Sequence, residues 1–147
     1  MYAMPEIVSS SSIENQLIED FSLFDSWEDK YEYIIELGKK LPALNIEHKT
    51  TENKIKGCQS SVWLTANYKD GLINFQADSD SVIVKGLVSL LIKVLSDQNP
   101  DTIINSQLDF MNKIGLMQHL AQTRSNGLLS MVKQMKFYAM AFKAKQG

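Results

Sequence analysis

The stretch VWLTANYKDGLINFQADSDSVIVKGLVSLLIKVL, residues 62–95, decides the fold. Val62, Leu64, Ala66 and Tyr68 alternate with mostly polar neighbours, Asp70 and Gly71 form a two-residue turn signal, and Ile73, Phe75 and Ala77 resume the alternation. A period of two on both sides of Asp-Gly predicts an antiparallel hairpin over 60–77. Trp63 is the exception and puts a large apolar group on the other face. Asp78, Ser79, Asp80 and Ser81 then offer capping oxygens for a helix from Val82 to Leu95. The only polar stripe on that helix is Lys85, Ser89 and Lys93, at i, i+4 and i+8, so most of its circumference is expected in the core.

Helical patterns flank this centre on both sides. Ser9 to Ser12 is a serine run, and Ser11 with Glu14 has capping-box spacing ahead of Ile13, Leu17, Phe21 and Phe24. A first helix is therefore expected over 12–23, behind a flexible tail at 1–11, with 12–147 as a single domain. Ser26 and Asp29 repeat the start signal before Trp27, Tyr31, Ile34, Ile35 and Leu41, and Gly38 and Pro42 are read as closing that helix near Lys40. From Ala43 to Gly57 the chain is polar and aperiodic, long enough for a connection to be mobile or functional. Downstream, Asn99 and Pro100 open another helix with proline at its first position. A final long helix carries Leu128, Met131, Val132, Met135, Ala139 and Phe142 on one face. Helices, then a small antiparallel sheet, then helices describe an α+β domain rather than βαβ alternation.

Composition narrows the function. A chain of 147 residues can fold on an apolar core without staples, and its single cysteine cannot form an internal disulfide or supply a thiolate cage for zinc or an iron–sulfur cluster. A secreted disulfide scaffold is thus excluded, and a reducing cytoplasm is the expected compartment. No basic start with an apolar block marks an export signal at Met1 to Ser12. The greasy run at 82–95 is broken by Lys85 and Lys93 and is too short for a membrane span. A net charge of −2 gives no global field for nucleic acid. The charge is uneven, however: residues 1–50 hold ten acids and four bases, whereas 51–147 hold seven acids and eleven bases. Such asymmetry fits either a partner-facing surface or ordinary solvated helix faces.

The lone Cys58 lies in KIKGCQS, residues 54–60, where the polar loop meets the first strand. Gly57 permits unusual backbone angles beside it, and Lys54 and Lys56 are expected to favour the nucleophilic thiolate. A buried cysteine acting as a small hydrophobe is the blander reading, and local sequence leaves the two about even. His48 and His119 are candidates for a Cys/His pair or a mixed metal site, but neither sits in a ligand or catalytic signature. Asp78 and Asp80 carry acid/base or ligand potential, although capping the next helix explains at least one of them more economically. Arg124 falls at the start of the last helix, where the dipole disfavours a cation, so another interaction is expected to hold it; a structural ion pair is the alternative.

Taken together, several blocks resemble one family. NKIKGCQSSVW, residues 53–63, closely resembles the cysteine-bearing signature of SufE-type sulfur acceptors, partners of cysteine desulfurases in iron–sulfur cluster assembly. WEDKYEYIIELGKKLP at 27–42, DSDSVIVKGL at 78–87, and His119-Leu120 followed by RSNGL at 124–128 resemble further blocks of that family in the same order. The resemblance implies a small three-stranded antiparallel sheet packed with helices, a fold shared with IscU/NifU-type scaffolds, with the third strand near 55–59. It also implies that Cys58 takes persulfide sulfur from a pyridoxal-phosphate-dependent, SufS-type desulfurase, stimulating it, and passes the sulfur to an iron–sulfur scaffold. No cofactor or metal on this chain is implied. Arg124 and Asp80 take supporting or partner-docking roles, and Gln59 and Ser60 orient the cysteine loop. A persulfide is easily oxidised, so Cys58 is expected to rest against apolar residues such as Trp63 and to swing out for a partner.

Two rival functions stay open at this level. One is a cysteine-dependent hydrolase or transferase using Cys58 with His119 or His48. The other is a metal scaffold built from Cys58 with Asp and His ligands.

Overall fold

A computed structural model describes residues 9–146. The hairpin forms as its pattern demands. Strand β1 (Val62–Lys69) pairs antiparallel with β2 (Leu72–Ser79), in a register running from Val62 opposite Ser79 to Lys69 opposite Leu72. Both turn residues have positive φ, 54° at Asp70 and 81° at Gly71, the combination that lets a two-residue turn follow the twist of its strands.

One face of the hairpin is apolar. Val62, Leu64, Ile73, Phe75 and Ala77 are buried beneath α3 (Val82–Leu95), whose Leu87, Leu90, Leu91, Val94 and Leu95 belong to the same core. Ser89 departs from the expected polar stripe. It is buried, and its hydroxyl donates to the Gly86 carbonyl at 2.6 Å, which satisfies it inside the helix. Helix α2 (Trp27–Lys40) starts at Ser26, whose hydroxyl accepts from the Asp29 N–H at 3.1 Å, and packs across α3.

Helix α1 (Ser10–Ser22) begins earlier than the serine pattern implied. Ser9 caps it by accepting from the Ser12 N–H, and Glu14 forms no capping box because its carboxylate accepts from the Phe110 N–H at 3.3 Å. Of the expected tail at 1–11, residues 1–8 lie outside the described residues. Three short helices follow α3: α4 (Pro100–Asn105), capped by Asn99 with Pro100 in its first turn, α5 (Phe110–Lys113) and α6 (Leu116–His119). The long α7 (Gln122–Gln146) closes the domain by burying Leu128, Met131, Met135 and Ala139.

The expected third strand is absent among the described residues, where the sheet has two strands. A single bridge joins Lys54 to Trp63: the Ile55 N–H donates to the Val62 carbonyl at 2.7 Å and the Leu64 N–H to the Asn53 carbonyl at 2.9 Å. Pairing stops there because Gly57, at φ 88°, ends the extended run just before Cys58. Part of the polar loop is ordered by a 3₁₀ turn at Ile46–His48 and by the buried Asp78, whose carboxylate accepts from the Leu44 N–H at 3.0 Å.

Candidate functional site

The left-handed turn at Gly57 delivers Cys58 to the side of α7 rather than to the sheet. Its thiol sulfur lies 3.7 Å from the Gly127 carbonyl oxygen, within reach of a weak S–H donor. Together they border a cavity of about 80 Å³. Gln59, Ser60, Thr123 and Arg124 supply its polar wall, and Val62, Val84, Leu87, Val88, Leu128 and Met131 supply its apolar one. Cys58 is half-buried, and burial pushes its thiol above the ordinary range. The expectation that Lys54 and Lys56 favour the thiolate therefore fails in this resting arrangement: desolvation sets the direction, and both lysines are exposed. Trp63 is not the shield either. It lies outside the cavity lining, with the Lys49 ammonium 5.3 Å from its ring.

Asp80 does not cap α3, and neither does Asp78; the Ser81 hydroxyl does, by accepting from the Val84 N–H. The exposed Asp80 instead clasps the strand after the cysteine turn. Its carboxylate accepts from the Ser61 N–H at 3.1 Å, while its own N–H donates to the Ser61 carbonyl at 3.2 Å. The Ser79 hydroxyl donates to that same carbonyl at 2.8 Å. Three hydrogen bonds thus fix residue 61, three positions beyond Cys58.

Arg124 stands in the first turn of α7, exposed and lining the Cys58 cavity. Among the described residues no carboxylate lies within 4.0 Å of its guanidinium, so the ion-pair alternative is not realised. The histidines are elsewhere. His119 stacks on Trp27 with ring centroids 3.9 Å apart, and its Nδ1 lies 2.9 Å from the Gly115 carbonyl. His48 is exposed, 3.9 Å from Glu47. Neither lines the cavity that holds Cys58. Among the described residues, no three His, Cys, Asp or Glu side chains are grouped to hold a metal ion. The sequence reading missed Gly127 as a member of the site, although an isolated glycine inside a helical pattern is a signal of close packing.

Residues 15–139 match the SufE family model, described as an Fe-S metabolism associated domain. The chain belongs to the SufE family. A SufE-like protein of Rhizobium meliloti is 43% identical over 127 residues, covering 83% of this chain and 91% of that protein. A second SufE-like protein, from Rhizobium etli, is 42% identical over 127 residues, covering 83% of this chain and 86% of its own. The fold also matches the solution structure of a hypothetical protein from Thermus thermophilus, with a TM-score of 0.74 at 18% identity, covering 92% of this chain and 97% of that one. Family membership assigns the chain to iron–sulfur metabolism and implies a cysteine desulfurase as partner. No helix among the described residues is long and apolar enough to cross a membrane.

Proposed function

We propose that this SufE-family chain accepts sulfur on Cys58 from a SufS-type cysteine desulfurase, stimulating that enzyme, and delivers it for iron–sulfur cluster assembly in a reducing cytoplasm. The observation that carries the proposal is the placement of the chain's one thiol in a small, mostly apolar cavity lined also by the Arg124 guanidinium, which has no carboxylate partner among the described residues. Sulfur carriage needs one nucleophilic thiol and a sheltered place to keep the product, whereas cluster binding needs several ligands.

In the transfer step the Cys58 thiolate attacks the outer sulfur of the desulfurase's cysteine persulfide. The new S–S bond forms at Cys58, the old one breaks, and the desulfurase thiolate leaves with its electron pair. Delivery repeats the exchange, with an acceptor thiolate attacking the outer sulfur on Cys58. The exposed Arg124 is suited to stabilise an anionic sulfur once Cys58 leaves its buried position, since a neighbouring cation favours thiolate over thiol. Asp80 supports the site by fixing Ser61, and Gln59 and Ser60 offer polar groups along the transfer path. The hydrolase alternative draws no support from the geometry, because neither histidine lines the cavity.

Mixing the protein with desulfurase and cysteine, then measuring its intact mass, tests the proposal. Wild type should gain one sulfur atom at Cys58 and accelerate the desulfurase. Cys58→Ser, nearly isosteric, should fold normally and do neither; full stimulation by this variant would sink the acceptor role.

A further inference from the structure

Gly127 lies inside α7, a place where glycine costs helical stability relative to alanine. It has no positive φ to justify it. Its reason is contact. A Cβ built there would lie 3.2 Å from the Cys58 sulfur and 3.8 Å from both the Cα and Cβ of Cys58. Without that Cβ, the sulfur settles against the helix backbone and reaches the Gly127 carbonyl at 3.7 Å.

We infer that Gly127 is a positioning residue for Cys58: its bare Cα and its carbonyl oxygen form a seat on α7 that holds the neutral thiol and releases the thiolate. The selectivity is elementary electrostatics. A thiol can donate its proton to a carbonyl oxygen, whereas a thiolate has none to give and meets the negative end of the same dipole. Burial at the seat acts in the same sense by disfavouring charge. Losing the proton therefore unseats Cys58 toward Arg124 and the cavity mouth. Because Cys58 sits on a turn while Gly127 sits in a 25-residue helix, crowding at the seat displaces the cysteine rather than the helix. The purpose of the seat rests on the sulfur-acceptor reading; its geometry does not.

The test uses the full chain and Gly127→Ala, with iodoacetamide alkylation of Cys58 followed by mass across a range of pH. The alkylation midpoint should fall toward that of an ordinary thiol, and the rate near neutrality should rise, by about threefold for each unit that the midpoint falls. Each unit of lowered pKa raises the thiolate fraction about tenfold and lowers its nucleophilicity about threefold. Thermal unfolding should be no easier than in wild type. An unchanged or raised midpoint, or slower alkylation, in a folded variant overturns the seat. Wild type gives a second measurement that does not depend on the variant: its single cysteine yields one infrared S–H stretch, which should lie at lower frequency in the folded protein than in the unfolded chain. An unshifted band also overturns the seat. Sulfur loading by desulfurase separates the two ideas. A wild type that shows the seat yet takes no sulfur refutes only the acceptor role, and a wild type that takes sulfur while Gly127→Ala keeps the same pH profile refutes only the seat.

Discussion

Gly38 and Gly86 meet backbone to backbone where α2 crosses α3. A Cβ on Gly38 would lie 2.6 Å from the Gly86 nitrogen and 2.8 Å from its Cα, and a Cβ on Gly86 would collide with the Ile34 carbonyl oxygen. A side-chain shift alone cannot relieve either contact, since the nearest atom in the way is main chain in both cases, with the Ile34 Cγ2 a further obstacle to a Cβ on Gly86. The close crossing brings Ile34, which is fully buried, against the same core that α3 shares with the hairpin.

Gly86→Ala should therefore destabilise despite the better helix propensity of alanine. Separating two packed helices costs about 1–3 kcal/mol or more, against roughly 1 kcal/mol returned by propensity. Urea unfolding should show a lowered midpoint with an unchanged slope. A midpoint at or above that of wild type would mean the helices separate freely and the crossing is not a constraint.

Asp78 gives a prediction in pH. Burial by itself raises a carboxyl, but here the N–H groups of Leu44 and Ser79 and the ammonium groups of Lys85 and Lys49, at 3.2 and 3.3 Å, outweigh it and hold Asp78 below its ordinary value. An aspartate depressed on folding contributes stability that is fully present above its unfolded pKa of about 3.9 and is lost as pH falls through the lower folded value. Asp78→Asn should cost about 1–3 kcal/mol near neutrality, because two lysines lose their charged partner and the one amide oxygen can keep only one of the two backbone ties, to Leu44 or to Ser79. The gap between wild type and variant should close as pH drops below about 4. Stability curves of the two proteins that stay parallel through that acid range would show that Asp78 is not the group responsible.

The hairpin and α3 were legible because both are repetitive: alternation, an Asp-Gly turn and a nearly all-apolar helix are local patterns with one structural solution. Features that depended on tertiary approach were not. The end of α2 at Lys40 was legible, but the packing role of Gly38 was not: besides standing near that end, the glycine serves the crossing with Gly86. Glu14 had the spacing of a capping residue and bonds instead to Phe110, 96 positions away. At the site, the flanking lysines suggested an activated thiol, but what surrounds Cys58 is set by α7, 69 residues further along, and no local pattern encodes that distance. The glycine in RSNGL is a local signal of close packing, but the sequence reading gave that weight to Gly57 and not to Gly127.

Arg124 separates structure from function most cleanly. It is exposed, and no carboxylate among the described residues approaches its guanidinium, so Arg124→Ala should shift stability by no more than about 0.5 kcal/mol. The positive end of the α7 dipole lies beside it, which leaves the cation without a local reason for its place. It lines the Cys58 cavity, and the proposed sulfur transfer would give it a reason there. A hydrogen bond to a charged partner contributes about 1.5–3 kcal/mol, so losing one to an anionic sulfur or to the docked desulfurase should cut sulfur transfer by about tenfold or more. Arg124→Lys should restore little, because an ammonium keeps the charge but lacks the planar fork of donors. Measuring thermal unfolding beside desulfurase stimulation for both variants decides the matter. Normal stimulation by Arg124→Ala would remove Arg124 from the transfer step, and full rescue by lysine would reduce its part to a point charge.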